Sequence, residues 1–142
     1  MAIKVSRAGS NQFSRRVRLR AEKFERGAGR VIKTAARAAL EYAVFNTRID
    51  TSKLVSNWQV SIDGAGQGVL EAHFPGKAGS TGGSSIATSL ALGYAEIERF
   101  KITQNRDLYL TNNTPYFRYV DDGQTSDAMR AARVSIAGAK LL

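Results

Sequence analysis

Apolar residues recur along the first third of the chain with the spacing of one helix face. From Val17 to Phe45 they follow one another in alternating steps of four and three residues, as a helical period of about 3.6 residues requires. This stripe consists of Val17, Ala21, Phe24, Ala28, Val31, Ala35, Ala38, Tyr42 and Phe45. Its second half is widened by Ile32, Ala36, Ala39 and Ala43. We therefore predict a long helix over residues 14–47 whose second half is the more deeply buried.

Two glycines, Gly27 and Gly29, lie inside this predicted helix. Because each costs about 1 kcal/mol relative to alanine there, we predict either a kink or a junction between two helices. A continuous helix would extend roughly 50 Å at about 1.5 Å per residue. That length exceeds what the core of one small domain needs, so we expect one end of the helix to reach a neighbouring molecule.

Short helical and extended patterns follow the long helix. Asp50-Thr51 offers an N-cap for a helical turn. Residues 57–63 alternate between apolar and polar side chains as a strand does, and residues 69–74 resume an extended pattern after a glycine-rich turn. This arrangement predicts a β-hairpin. The Gly- and Ser-rich run 75–85 predicts a flexible loop.

Helix signals return in the last part of the chain. Ser85 is expected to cap a helix with one apolar face, formed by Ile86, Leu90, Tyr94 and Ile97. Thr114-Pro115 is typical of a helix start, and Asp122-Gly123 of a helix end. Ser126 is expected to open a final helix. Its predicted buried side consists of Met129, Ala132, Ile136 and Ala139.

These elements predict an α+β fold, in which a long N-terminal helix and further helices pack on a small, mostly antiparallel β-sheet. At 142 residues the chain has room for one domain. We expect residues 1–12 to form an N-terminal arm. Residues 13–142 are expected to form a single domain with its flexible loop at 75–85.

Composition excludes several classes of protein. No apolar run approaches the roughly 20 residues that span a bilayer, and the first residues lack the apolar stretch of a signal peptide. We therefore expect no membrane partner and assembly in a cytosol. The chain contains no cysteine, so a disulfide framework, a thiolate nucleophile and a cysteine-based zinc site are excluded.

The net charge of +9 is concentrated in one region of the chain. Residues 1–53 contain 13 of the 21 Lys and Arg but only 4 of the 12 Asp and Glu, whereas the remaining residues contain 8 of each sign. The predicted basic helix face consists of Arg15, Arg16, Arg18, Arg20, Lys23, Arg26 and Arg30. Such a face attracts phosphates without sequence preference. An acidic partner protein, or simply solvent, would suit it as well.

Candidate catalytic residues are few. His73 is the only histidine, and it lies among apolar residues of a predicted strand. Asp121 and Asp122 are adjacent, so on a helix they point about 100° apart rather than converging on one substrate atom. The run Gly76-Lys77-Ala78-Gly79 has Ala78 where a phosphate-binding loop needs Ser or Thr. We therefore expect a protein that is not an enzyme and that has no cofactor and no metal.

Two segments resemble the signature of a known family. The first, Asp50-Thr51-Ser52-Lys53-Leu54-Val55-Ser56-Asn57-Trp58, is similar to a run Asp-Thr-Gly-x-Leu-x-x-Ser-Trp that follows a long first helix. The second, Leu108 to Gly123, is similar to a strand followed by Asn-Asn-x-Pro-Tyr-Ala-x-x-x-Glu-x-Gly. The departures are Ser52 for Gly, Asn57 for Ser, Phe117 for a small residue and Asp121 for Glu. The matching positions, for which we expect structural roles, are Asp50, Thr51, Leu54, Trp58, Asn112, Asn113, Pro115, Tyr116 and Gly123.

The family is that of the small phage tail-component proteins typified by gene product 10 of phage HK97. The resemblance implies a structural virion protein of a tailed bacteriophage, namely a neck, tail-completion or tail-terminator protein. Such a protein forms a ring, commonly sixfold or twelvefold, at the head–tail junction. Its implied partners are copies of itself, the portal, connector or head-completion proteins and the tail-tube protein, with packaged double-stranded DNA as a candidate partner in the lumen. The alternatives are a free, sequence-nonspecific basic nucleic-acid-binding protein and, less favoured, an enzyme with an unfamiliar site.

Overall fold

The computed structural model describes residues 7–62, 64–104, 106–115, 117 and 124–137. Four helices, a 3-10 turn and two strands follow one another in this part of the chain. They are α1 (Arg7–Phe45), α2 (Lys53–Ser56), β1 (Trp58–Ser61), α3 (Gly82–Arg99), the 3-10 turn (Ile102–Gln104), β2 (Tyr109–Asn112) and α4 (Gln124–Ile136). The α+β architecture predicted from the sequence, with its long N-terminal helix and small antiparallel sheet, is confirmed.

Helix α1 is continuous over 39 residues, which corresponds to about 58 Å at about 1.5 Å per residue. It begins at Arg7, inside the region expected to be an N-terminal arm. Of the two alternatives expected at Gly27 and Gly29, the junction of two helices is wrong, and the kink stays a prediction. Extending a helix adds a hydrogen bond for each residue fixed, and that gain outweighs the cost of two glycines. Gly29 also lies against the 3-10 turn, where an added Cβ would be 4.0 Å from Ile102 Cγ2.

The second half of α1 carries the core. Leu40, Ala43 and Val44 are completely buried, and they pack with residues of β1 and α3. This confirms that the second half is the more buried one. The predicted stripe is wrong at its end, because Phe45 is 61% exposed. Leu40 and Val44 lie about 160° from the second half of that stripe at about 100° per residue, so the face that meets α3 and the sheet is nearly opposite it.

The sheet contains two antiparallel strands, with β1 paired to β2 from Trp58↔Asn112 to Ser61↔Tyr109. The predicted hairpin between residues 57–63 and 69–74 is therefore wrong. Residues 69–74 are held by side chains instead. The Asn57 amide accepts from Leu70 N–H at 2.7 Å and donates to Leu70 O at 2.9 Å, and Ser56 Oγ accepts from His73 N–H at 3.0 Å. These side chains take the place of strand partners for three backbone groups of the segment.

Helix α3 has the apolar face predicted for it. Ile97 is buried, and Ile86, Leu90 and Tyr94 are half-buried against the core. The helix begins at Gly82 rather than at Ser85. Ser85 is instead a buried residue of its first turn. The expected loop 75–85 therefore ends in helix, and whether residues 75–81 are mobile stays a prediction.

Helix α4 packs on the second half of α1, and Tyr42 donates its hydroxyl to Asp127 Oδ2 at 3.3 Å. Ala128 is the buried residue of this contact, whereas Met129 and Ile136 are 52% and 39% exposed. The predicted buried side is wrong at these two positions, because α4 is turned by one residue, or about 100°, from the expected orientation. Ala139 and most of the helix expected between Thr114 and Gly123 lie outside the described residues. Among the residues described, no helix is long and apolar enough to cross a membrane.

Candidate interaction surfaces

The first half of α1 extends away from the core. Every residue from Ser14 to Arg26 is exposed, and we call this segment the projecting half. It carries Arg15, Arg16, Arg18, Arg20, Lys23 and Arg26, and the exposed Arg30 follows one turn later. Within the described part of the chain, none of these seven cations forms an ion pair. Over residues 14–30 they oppose only Glu22 and Glu25, which leaves a local net charge of +5.

Two different faces run along the projecting half. At about 100° per residue, six of the seven cations fall within an arc of roughly 140°. This basic arc consists of Arg15, Arg16, Arg20, Lys23, Arg26 and Arg30. The apolar stripe of Val17, Ala21, Phe24 and Ala28 lies on the opposite side of the helix. The projecting half is therefore amphipathic, although no other described element covers its apolar side.

Where the projecting half joins the domain, α1 and the 3-10 turn line an open basic cleft of about 480 Å³. Arg26, Arg30, Lys33 and Lys101 line it from two sides, together with Thr103. Glu22 and Glu25 also contribute to its wall. The cleft continues the basic arc onto the body of the domain.

At the inner edge of this cleft and in the next turn of α1, Lys33 and Arg37 both pair with the Glu98 carboxylate. Lys33 donates to Glu98 O at 3.2 Å, and Arg37 forms an ion pair with the Glu98 carboxylate. The Arg37 guanidinium also lies 5.9 Å from the centre of the Tyr94 ring. Tyr94 donates its hydroxyl to Glu41 Oε1 at 2.6 Å. Burial, and secondarily Glu41, raises the pKa of Tyr94 to about 12.

The first motif segment fixes the chain after α1. Asp50 Oδ1 accepts from Ala78 N–H at 2.8 Å, and Asp50 O accepts from Gly79 N–H at 2.9 Å. The predicted N-cap at Asp50-Thr51 is therefore wrong: Ser52 is the N-cap of α2, without a side-chain hydrogen bond. Thr51 is exposed. Asp50 instead anchors the loop that leads into α3.

Trp58 is the aromatic anchor of this segment and is 6% exposed. Its indole N–H donates to Thr47 Oγ1 at 2.7 Å. The ring meets Phe117 edge to face, with centroids 5.1 Å apart and an angle of 85° between the rings. Phe117 thus packs where the resemblance expects a small residue, and it fills space beside the tryptophan.

The second motif segment is tied to the first. Asn112 donates its amide to Leu54 O at 2.9 Å, and its Oδ1 accepts from the Thr114 hydroxyl at 2.6 Å. Asn113 donates to Gly66 O at 2.6 Å, across the turn that follows β1. Pro115 is exposed, and Tyr116 and Gly123 lie outside the described residues. The two motifs therefore meet and brace each other.

An apolar groove of about 290 Å³ lies between the second half of α1, the sheet and α4. Small residues of α1 form one wall, and Met129 with its neighbours forms the opposite one. Its lining consists of Ile32, Ala35, Ala36, Ala39, Trp58, Val60, Leu108, Tyr109, Leu110, Ala128, Met129 and Ala132. We did not predict this groove from the sequence. The apolar face of the last helix was the only sequence feature that pointed to it, and we predicted that this face is buried in the core.

Metal-binding groups do not cluster in the described part of the chain. No three or more His, Cys, Asp or Glu residues lie there in an arrangement suited to a metal ion. His73 is half-buried, and burial lowers the pKa of its imidazole. Its backbone N–H bonds to Ser56 Oγ. Asp121 and Asp122 lie outside the described residues.

Comparisons of this chain with protein-family models, curated proteins and solved structures found no match. A proposal of function therefore rests on the two motif segments and on the geometry of the described surfaces.

Proposed function

We propose that this chain is a structural subunit that assembles into a ring at the head–tail junction of a tailed bacteriophage, where it joins the portal or connector to the tail tube. The observation that carries this proposal is the projecting half of α1. It exposes Val17 and Phe24 to 50% and 46%, together with the cations of the basic arc. An isolated domain gains no core from such a helix, whereas a subunit that contacts a neighbour does.

The motif residues support this role, because their described contacts are structural. Asp50 holds the loop before α3, Trp58 anchors β1, and Asn112 joins the two segments. Position 52 adds support. Ser52 has a φ of 69°, a left-handed conformation that favours glycine, and glycine is the residue that the resembled family has there. Although serine replaces glycine at this position, the backbone keeps the left-handed conformation that the motif implies.

The basic arc suits the lumen of such a ring. Because it lies opposite the apolar stripe, a contact made by the stripe would leave the cations free. Lysine and arginine near DNA release condensed counterions, which gives attraction without sequence preference. We propose that the arc faces packaged double-stranded DNA. A density map that places residues 15–30 on the outer surface of the ring would remove this assignment.

Light scattering of the full chain over a concentration series tests ring assembly. We expect the mass to pass from the 15.4 kDa of one chain to one fixed multiple, without a ladder of intermediates, since a closed ring satisfies all of its interfaces at once. A mass of one chain throughout the series would contradict the proposal.

The alternative is a free, sequence-nonspecific nucleic-acid-binding protein, and the exposed cations of the projecting half favour it. Replacing Arg16, Arg20 and Lys23 by alanine distinguishes the two. For a free binder, duplex affinity should be strong at one-chain mass. In a plot of the logarithm of this affinity against the logarithm of the salt concentration, the alanine variant should then have a shallower slope. The difference in slope should be about 0.9 for each phosphate that the variant no longer neutralises. Arg133→Ala, an exposed cation of α4, is the matched control. Weak binding by the monomer, with binding only after assembly, would favour the ring.

A further inference from the structure

We propose that the apolar stripe on the projecting half of one subunit docks into the apolar groove of the next subunit, so that the ring is built from one repeated head-to-tail contact. This inference rests on the proposed ring and adds the two surfaces that form it. The stripe is represented by Val17 and Phe24, and the groove by Ala36, Ala39 and Met129.

One wall of the groove would allow a second helix to approach closely. Its α1 wall consists mainly of alanines, among them Ala35, Ala36 and Ala39. Small side chains allow a second helix to approach closely, within the 8–10 Å that separates packed helix axes. Met129 stands at the opposite wall and is 52% exposed, an uncovered apolar side chain of the kind that interfaces use.

The stripe cannot fill the groove of its own chain. Val17 and Ile32 belong to the same continuous helix, and Ile32 lines the groove. They are 15 residues apart, or about 22 Å along the axis. A continuous helix cannot bend its first half back onto its second half. A stripe that fills the groove must therefore belong to another molecule.

A second copy of this chain fits both surfaces at once. Each subunit exposes one stripe and one groove, so a heterologous contact between copies covers both types of surface. In an open chain of subunits one stripe and one groove stay uncovered at the ends, and closure into a ring covers these as well. A two-fold contact of stripe with stripe would leave every groove open.

Charge is compatible with the same pairing. The basic arc lies on the side of the helix opposite the stripe, so a docked helix keeps these cations out of the apolar groove and at the surface.

Two single variants and their mixture test this contact. Phe24→Asp blocks the stripe, and Met129→Asp blocks the groove. Both side chains are about half-exposed, so each variant should keep the circular dichroism spectrum of the wild type. Leu92→Asp changes a side chain of α3 that is 55% exposed and belongs to neither surface, and it is the matched control.

We expect the wild type and Leu92→Asp to assemble and each blocked variant to stay at one-chain mass. An equimolar mixture of the blocked variants should form a two-chain complex and nothing larger, because it contains one intact stripe and one intact groove. The proposed contact is overturned if either variant assembles like the wild type or if the mixture stays monomeric. In that case the proposed function still stands, provided that the wild type forms a ring. A monomeric wild type would overturn both.

Because the chain contains no cysteine, disulfide trapping gives a second measurement that does not depend on the aspartate variants. Phe24→Cys protein mixed with Met129→Cys protein should form a mixed disulfide dimer on mild oxidation. The same mixture made with Leu92→Cys in place of Met129→Cys should not. Equal trapping in both mixtures would overturn the proposed contact.

Discussion

Asn112 donates its side-chain amide to the carbonyl oxygen of Leu54, 58 residues earlier in the chain, at 2.9 Å. Its own oxygen accepts from both the backbone N–H and the hydroxyl of Thr114. One side chain thus holds α2, the end of β2 and the start of the next segment together. The two motif segments act as one brace, which explains how short runs far apart in sequence specify a single subunit shape.

Asn112→Ala should destabilise the fold, because it leaves the Leu54 carbonyl and two groups of Thr114 without their partner. Each buried polar group left unsatisfied costs about 1–3 kcal/mol. Urea denaturation followed by tryptophan fluorescence measures the change. Asn113→Ala is the control, since Asn113 is exposed and holds only the turn after β1. Equal losses for both variants would contradict the bracing role of Asn112.

A double-mutant cycle tests the bond between Trp58 and Thr47. Thr47→Val strands a buried indole N–H and should cost about 1–3 kcal/mol. Trp58→Phe removes the donor, so the valine substitution should cost less in that background. The difference, read from chemical denaturation, is the coupling of the pair. Additive losses would mean that the hydroxyl and the indole do not interact.

Gly93→Ala tests the contact between α3 and α1. An added methyl would overlap the end of the Leu40 side chain, which is completely buried and would have to shift against its core neighbours. Overpacking of this kind costs about 1–3 kcal/mol, more than the gain of about 1 kcal/mol in helix propensity. Gly83→Ala, in the same helix with open space around it, should instead raise the melting temperature. A stabilised Gly93→Ala variant would contradict this packing.

The pKa of Tyr94, raised from 10.0 to about 12, predicts that the folded state loses stability at high pH. Because the folded state holds this proton more tightly than the unfolded chain does, the associated stability is complete below about pH 10 and is lost as the pH rises toward 12. Absorbance titration of tyrosinate measures this pKa. Glu41→Gln should lower it only in part, because burial is the larger cause. Asp127→Asn, which acts on Tyr42, should leave it unchanged, and a Tyr94 that titrates at its ordinary value would refute the argument.

Local periodicity was sufficient to predict the long helix and the buried face of α3, because those patterns lie within a few turns of one element. It failed where tertiary packing decides which strands pair and which helix face is buried. The pairing of Trp58 with Asn112 joins residues more than 50 positions apart, and nothing in the run 57–63 indicates that partner. Likewise, the choice of Ala128 over Met129 as the buried residue of α4 depends on how that helix meets α1.

The two candidate surfaces also differ in how far the sequence predicts them. The basic arc follows from residue spacing alone, since Arg16, Lys23 and Arg30 share one side of any regular helix. The apolar groove needs several elements to meet and has no signature within any one of them. Sequence therefore indicated the charged face of the projecting helix, and only the fold provided the surface that receives a neighbour's stripe.

Electron microscopy of the full-length chain, with symmetry read from class averages, tests the central claim most directly. We expect a closed ring with cyclic symmetry and an axial opening, in which each projecting helix reaches the adjacent subunit. A stable monomer, a two-fold dimer or an open filament under the same conditions would contradict it.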